Sequence, residues 1–195
     1  MMVNNRLTSK SETWRTPIEI LRRADALMGG IDLDPASSHE ANMDTRATRY
    51  FQDDRGMGSL DKPWGTPESP SRIWLNPPGG KFPKGHPLEG VSRVKAFWAK
   101  LTYEYRMAHV SQACFLSFSM EAAQTTQVYQ KELENQDNIL CWPTVFFSRR
   151  LAFRDGTGKP VKGNTHGSCL TYLGSAERLH GYFGDLGVVV IPHWE

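Results

Sequence analysis

The stretch Ile73-Trp74-Leu75-Asn76-Pro77-Pro78-Gly79-Gly80 decides how this chain is read: an apolar run halts at an amide, two prolines and two glycines. Trp74 and Leu75 suit a buried strand. Pro77 and Pro78 lack backbone donors and have a fixed φ, so the chain can neither continue as sheet there nor turn into helix. A stiff polar loop at the carboxyl end of a strand is where open α/β sheets bind ligands. The same pattern also serves as a plain strand stop, and the surroundings must decide between the two.

Upstream, Thr16 is placed to cap a helix and Pro17 suits its first position. Ile18, Leu21, Ala24 and Leu27 follow at helical spacing, and Gly29-Gly30 ends the helix. Ile31-Asp32-Leu33-Asp34-Pro35-Ala36 then alternates apolar and acidic residues before a proline, a short strand ending in a carboxylate. Residues 39–50 fit a helix, Tyr50-Phe51 with Asp53-Asp54-Arg55-Gly56 a strand end and turn, and 62–71 a loop leading into the opening strand.

Downstream, Lys81 to Gly90 contains Pro83, Gly85 and Pro87 and reads as an extended loop. The stripe Val94, Phe97, Trp98, Leu101, Tyr105 predicts a helix over 91–108. Residues 113–118 read as a central strand and 120–133 as a helix. Strands are expected at 139–142, 145–147, 151–153, 168–173 and 188–191, with a short helix at 175–183. Helix and strand alternating through residue 133 argue a parallel α/β sheet, with antiparallel strands added toward the C-terminus.

The whole is 195 residues long, with 39% apolar, 23% charged and 11% aromatic residues, a balance that suits one globular domain. Residues 1–13 read as a loose polar arm and 14–195 as the domain. No run approaches a membrane span and the first residues have no signal-peptide core, so a cytoplasmic protein is expected. Cys114, Cys141 and Cys169 are odd in number and far apart, and the six histidines show no i, i+4 pair, so neither a disulfide framework nor a metal site is expected. A net charge of +2 leaves any nucleic-acid contact to a local basic patch. Ser148 to Lys162 supplies one candidate, with Arg149, Arg150, Arg154, Lys159 and Lys162 against the single acid Asp155, and with Leu151 and Phe153 interleaved. Such a stretch can hold phosphates and stack on bases, or simply form a solvated hairpin.

Several residues could carry chemistry. Of Asp32 and Asp34, at the end of this strand, only one is expected to point into a given site. A strand-end carboxylate there can accept from a ribose or pair with an ammonium group, or merely cap the turn at Pro35. Asn76 presents an amide oxygen in a rigid frame, and the Pro77 carbonyl adds a second acceptor. Two converging acceptors match an exocyclic amine, which has two N–H donors. Nucleophile-elbow and phosphate-loop patterns are absent.

The order Thr16-Pro17, Asp32-Leu33-Asp34-Pro35-Ala36, Tyr50-Phe51 with Asp53-Asp54, Trp64-Gly65, Trp74-Leu75-Asn76-Pro77-Pro78 and Arg150-Leu151-Ala152-Phe153 resembles the phage-type, Dam-like DNA N6-adenine methyltransferases of phages and prophages. The resemblance runs from about Trp14 to about Leu173. It implies a single-domain Rossmann-like, S-adenosylmethionine-dependent methyltransferase fold acting on DNA. Cofactor contacts would fall to Thr16, Pro17, Asp32, Asp34, Pro35 and Asp54, and the target amine to Asn76, Pro77 and Pro78. Lys81, Phe82, Arg149, Arg150 and Arg154 are expected to meet the substrate, with no metal. Where such enzymes carry an aromatic residue after Asn-Pro-Pro this chain has Gly79, and Phe82 or Trp98 is the expected replacement ring. The cofactor strand also lacks the usual glycines, with Ser37 and Ser38 after Ala36. Two other readings remain: methylation of another planar amine (cytosine N4, RNA or protein glutamine), and a nucleic-acid-binding relative without catalysis.

Overall fold

The computed structural model describes residues 15–52, 59–119, 142–155, 158–161 and 167–192. Within them the chain is α/β, with four helices and one mixed seven-stranded sheet. In chain order these are α1 (Ile18–Met28), β1 (Leu33–Ser37), α2 (His39–Thr45), β2 (Arg49–Gln52), β3 (Ser71–Leu75), α3 (Arg93–Arg106), β4 (Val110–Ser117), β5 (Thr144–Phe147), β6 (Cys169–Leu173), α4 (Ala176–Phe183) and β7 (Gly187–Val190). No described helix is long and apolar enough to cross a membrane.

The strands lie in the order β2-β1-β3-β4-β6-β5-β7. β2, β1, β3 and β4 are parallel, while β6 is antiparallel to both its neighbours and β7 is antiparallel to β5. The expected addition of antiparallel strands after the parallel half is therefore observed.

Side-chain alternation along the strands divides the core into two layers. Trp74, Cys114 and Leu116 point into one, where α1 supplies Ile20, Leu21, Ala24 and Leu27 and α4 supplies Leu179 and Phe183. Ile73, Leu75, Ala113 and Phe115 point into the other, against Val94, Phe97, Trp98 and Leu101 of α3. Burial of each Leu, Ile or Phe contributes about 1.5–3 kcal/mol, which holds the helices to the sheet far more firmly than helix propensity does.

Local chemistry sets the element ends. α1 stops at Gly29, whose φ of 75° is left-handed and whose N–H returns to the Asp25 carbonyl. Its start differs from expectation. Pro17, not Thr16, is the N-cap, and the Pro17 carbonyl accepts from the Ile20 and Leu21 amides at 3.1 and 3.3 Å with no side-chain cap. The Thr16 hydroxyl is bonded elsewhere. Residues 151–153 do not form the expected strand. The segment instead reaches back to the start of the domain, where Arg154 and Arg15 exchange backbone hydrogen bonds at 2.7 and 2.9 Å. The arm at 1–13, the turn at Asp53-Asp54, the helix expected at 120–133 and residues 139–141 lie outside the described residues.

The sheet changes direction at β1, with β2 on one side and β3 on the other. This makes the β1–β3 boundary a topological switch point, where carboxyl ends open a crevice. Pro35 widens it. A proline inside a central strand cannot donate to the ladder, and among the described residues β1 and β3 are paired only at Leu33 and Ile73. The β1–β2 register also shifts between Asp34 and Ser37.

Candidate functional site

Asn76 is the first residue beyond the carboxyl end of β3. Its Nδ2 donates to Thr16 Oγ1 at 3.2 Å, joining residues 60 positions apart. α1 begins beside Asn76 and runs back toward the amino edge of the sheet, where the Gly29 carbonyl accepts from Arg72 Nη1. Thr16 is 5% exposed, so the bond is sheltered from water. Thr16 thus takes the amide nitrogen and leaves the Asn76 Oδ1 over. Among the described residues no group donates to it, nor does any backbone amide donate to the Pro77 carbonyl. The loop is anchored at its far end too: the Gly80 carbonyl accepts from the Arg93 amide at 3.0 Å, and a φ of 79° at Gly80 requires glycine.

Asp34 lies in β1 on the other side of the switch point and is 3% exposed. Its carboxylate accepts from the Ala36 amide at 3.2 Å and from Thr45 Oγ1 at 3.3 Å, with no cation beside it among the described residues. Burial dominates over these hydrogen bonds and raises its pKa from 3.8 to about 6. A buried carboxylate with weak partners fits the positive or hydroxyl-bearing part of a ligand.

Asp32 occupies the opposite, amino end. Its Oδ2 accepts from the Arg72 backbone amide and Nε at 2.8 Å, and its Oδ1 accepts from Arg72 Nη2 at 2.7 Å. Those hydrogen bonds, more than burial, set its titration and hold its carboxyl below the usual range. Gly30 makes room for this clasp, since a Cβ there would lie 2.9 Å from Arg72 Nη2. A polar cleft lined by Asp32, Thr48, Arg49, Gly65 and Thr66 opens at this same end, away from Asn76. Asp32 and Asp34, two residues apart, share a strand face rather than facing opposite sides. Their partners separate them, Asp32 pairing with Arg72 at the amino end and Asp34 lying buried against Thr45.

The remaining candidates divide by partner. Arg154 Nη2 donates to Asp44 Oδ2 at 2.7 Å and to the Thr16 carbonyl at 3.3 Å, while Arg15 pairs with the same Asp44 oxygen. Arg154 thus clamps the Thr16-Pro17 segment from behind. Arg149, Arg150 and Lys81 are exposed. Phe82 is 3% exposed and stacks on His86 with centroids 4.2 Å apart. Trp98 is fully buried, edge-on to Phe115 at 4.8 Å. Both rings proposed to replace the one missing at Gly79 are therefore committed to packing. Pro17, Pro35, Pro77 and Pro78 act through backbone shape, and Asp54 lies outside the described residues.

Two features escape sequence reasoning. Asp44, in the polar helix α2, has no distinguishing pattern around it. Phe118, directly after β4, reads as the last residue of an apolar strand, yet its ring Cζ would lie 3.1 Å from a Cβ added at Gly79. Among the described residues no His, Cys, Asp or Glu cluster could hold a metal. Cys114 and Cys169 are buried, and burial raises both thiols, Cys169 to about 11, which removes nucleophilic character. Comparison with protein-family models, curated proteins and solved structures returns no match.

Proposed function

We propose that the chain is an S-adenosylmethionine-dependent methyltransferase of Rossmann-like fold that modifies the exocyclic N6 amine of adenine in DNA. The observation that carries this reading is the Asn76–Thr16 hydrogen bond at the switch point, which leaves the Asn76 Oδ1 as an unengaged acceptor in a rigid loop. The parallel half of the sheet, with its switch point between β1 and β3, supports a ligand crevice there.

The residues fit the chemistry. An aromatic amine is a poor nucleophile because its lone pair is delocalised into the ring. Acceptors at Asn76 Oδ1 and the Pro77 carbonyl take its two N–H bonds and draw the lone pair back onto nitrogen. Thr16 keeps the oxygen, rather than the amide nitrogen, toward the substrate. Pro77 and Pro78 fix the loop so that little reorganisation is needed on reaction. S-adenosylmethionine, when bound, supplies a methyl group already activated by its sulfonium. The excess amine proton leaves to solvent afterward, so no strong general base is needed.

The buried Asp34 carboxylate suits the ammonium or ribose of that cofactor, because a partner carrying N–H or O–H donors relieves the cost of its burial. Asp32 is saturated by Arg72 and contributes to the fold. Arg149, Arg150 and Lys81 are exposed, where phosphates would meet them. A base within duplex DNA must be extruded to reach such a crevice. Transfer of label from methyl-tritiated S-adenosylmethionine to DNA tests the reading: incorporation at adenine N6 supports it, and cofactor binding without transfer to any nucleic acid refutes it.

A further inference from the structure

Gly79 poses a question that backbone geometry does not answer. Its φ lies outside the left-handed region, unlike that of Gly80, so the turn itself does not call for glycine. Its surroundings do. A Cβ at this position would sit 3.1 Å from Cζ of Phe118, a tight contact that the ring could relieve only by shifting, and 3.6 Å from Cε1. The glycine is therefore the gap through which the Phe118 ring approaches the Asn-Pro-Pro loop.

Phe118 is well placed to use that approach. The β3–β4 register pairs Leu75 with Phe115, which brings residue 118 level with Pro78 at the carboxyl edge of the sheet. The ring packs against both core layers and is only half-buried, so it is held by the core with part of its surface left accessible. Its backbone is fixed as well, the Phe118 carbonyl accepting from Ser168 Oγ at 3.3 Å. Phe82 and Trp98 offer no comparable surface, being buried at 3% and 0% exposure.

The geometry points to Phe118 as the residue against which a planar, amine-bearing ring stacks while Asn76 and Pro77 hold its amine, with Gly79 as the gap that admits the phenyl group. This rests on the reading of Asn76 and Pro77 as an amine site, and it assigns ring recognition to a strand end instead of the loop. The substrate class is a nucleobase with an exocyclic amine. Stacking sets affinity for the ring, while the acceptors set the reaction.

Methyl transfer to DNA is measured for the wild type, Phe118→Leu, Phe118→Tyr, Phe118→Ala, and the double change Gly79→Tyr with Phe118→Ala, which moves the ring from the end of β4 to the loop. Phe118→Leu preserves apolar volume against the core and removes the π face. The expected result is a roughly tenfold to hundredfold fall in kcat/KM for DNA, carried by KM, with S-adenosylmethionine affinity unchanged and recovery in Phe118→Tyr and in the double variant. An active wild type with an equally active Phe118→Leu variant overturns the role of Phe118 and leaves the proposed function standing. If Phe118→Leu does not fold, the same judgement falls to the double variant: failure to exceed Phe118→Ala alone overturns the proposal. A wild type that binds DNA but neither binds the cofactor nor transfers methyl removes the proposed function, and the assignment of Phe118 with it.

Discussion

Replacing Asp34 with Asn tests the site through a charge whose energetic cost the structure defines. Among the described residues Asp34 is buried beside neutral hydrogen-bond donors alone, the Ala36 amide at 3.2 Å, the Thr45 hydroxyl at 3.3 Å and the Ser37 hydroxyl. Its pKa rises from 3.8 to about 6 in the folded chain. That displacement corresponds to about 3 kcal/mol of penalty on the charged form. Between those two values the native state binds more protons than the unfolded state, so stability falls as pH rises through the window and the full penalty is present above it. Asparagine is neutral throughout. Urea denaturation of both proteins at pH 4 and pH 7.5 should therefore show the variant gaining about 2 kcal/mol relative to the wild type between the two, since part of the penalty is already present at pH 4, other titrations cancelling in the difference. A difference that stays level from pH 4 to 7.5 would refute the assignment of a buried, cation-free carboxylate. The same group should report on the cofactor. An ammonium brought beside Asp34 lowers its pKa, so S-adenosylmethionine binding at pH 5.5 should release a proton, seen as a dependence of calorimetric heat on buffer ionisation enthalpy, and Asp34→Asn should abolish that release.

Other substitutions separate structural from functional roles. Asp32→Asn removes the carboxylate that accepts from the Arg72 amide and guanidinium, and because the pair is about one-third exposed it should lower stability by only about 1–2 kcal/mol in urea melts while leaving cofactor affinity unchanged. Asp44→Asn weakens the tie to Arg15 and Arg154 and loosens the Thr16 segment, so kcat should fall severalfold while the salt dependence of DNA binding stays the same. Arg149→Ala and Arg150→Ala should each weaken DNA binding uniformly across sequences and reduce the slope of log K against log salt by about 1.

Much of the fold is legible in the chain because its signals are local. The glycine pair closing α1, the stripe Val94 to Leu101 and the apolar runs of β3 and β4 each combine pattern and punctuation, and the structure contains elements close to those bounds. The misreadings occur where distant partners override local chemistry. Thr16 looks like a cap but bonds to Asn76, 60 residues away. Residues 151–153 have strand composition, yet the adjoining Arg154 pairs with Arg15. Arg154 looks like a free cation in a basic stretch, and Asp44, which sequence cannot bring near, engages it. Asp32 and Asp34 look equivalent on paper. Their distant partners separate them, setting Asp32 against Arg72 and Asp34, buried, against Thr45 of α2.

The identity of Gly79 illustrates the same limit. As sequence it is a missing ring, and the nearest aromatic residues along the chain are natural substitutes. In the folded protein both are buried, and the ring beside Gly79 comes from the end of β4. Proximity here is decided by parallel pairing of β3 with β4 across the α3 crossover, which no short pattern encodes.

The central claim is that Asn76, held by Thr16, presents its amide oxygen to a reacting amine. It is tested most directly by methyl transfer from tritiated S-adenosylmethionine to DNA in the wild type and in Asn76→Ala, with cofactor binding and circular dichroism as controls for folding. Removing a preorganised acceptor of this kind should cost about a hundredfold to a thousandfold in kcat, with cofactor affinity and fold retained. Full activity in Asn76→Ala would contradict the account.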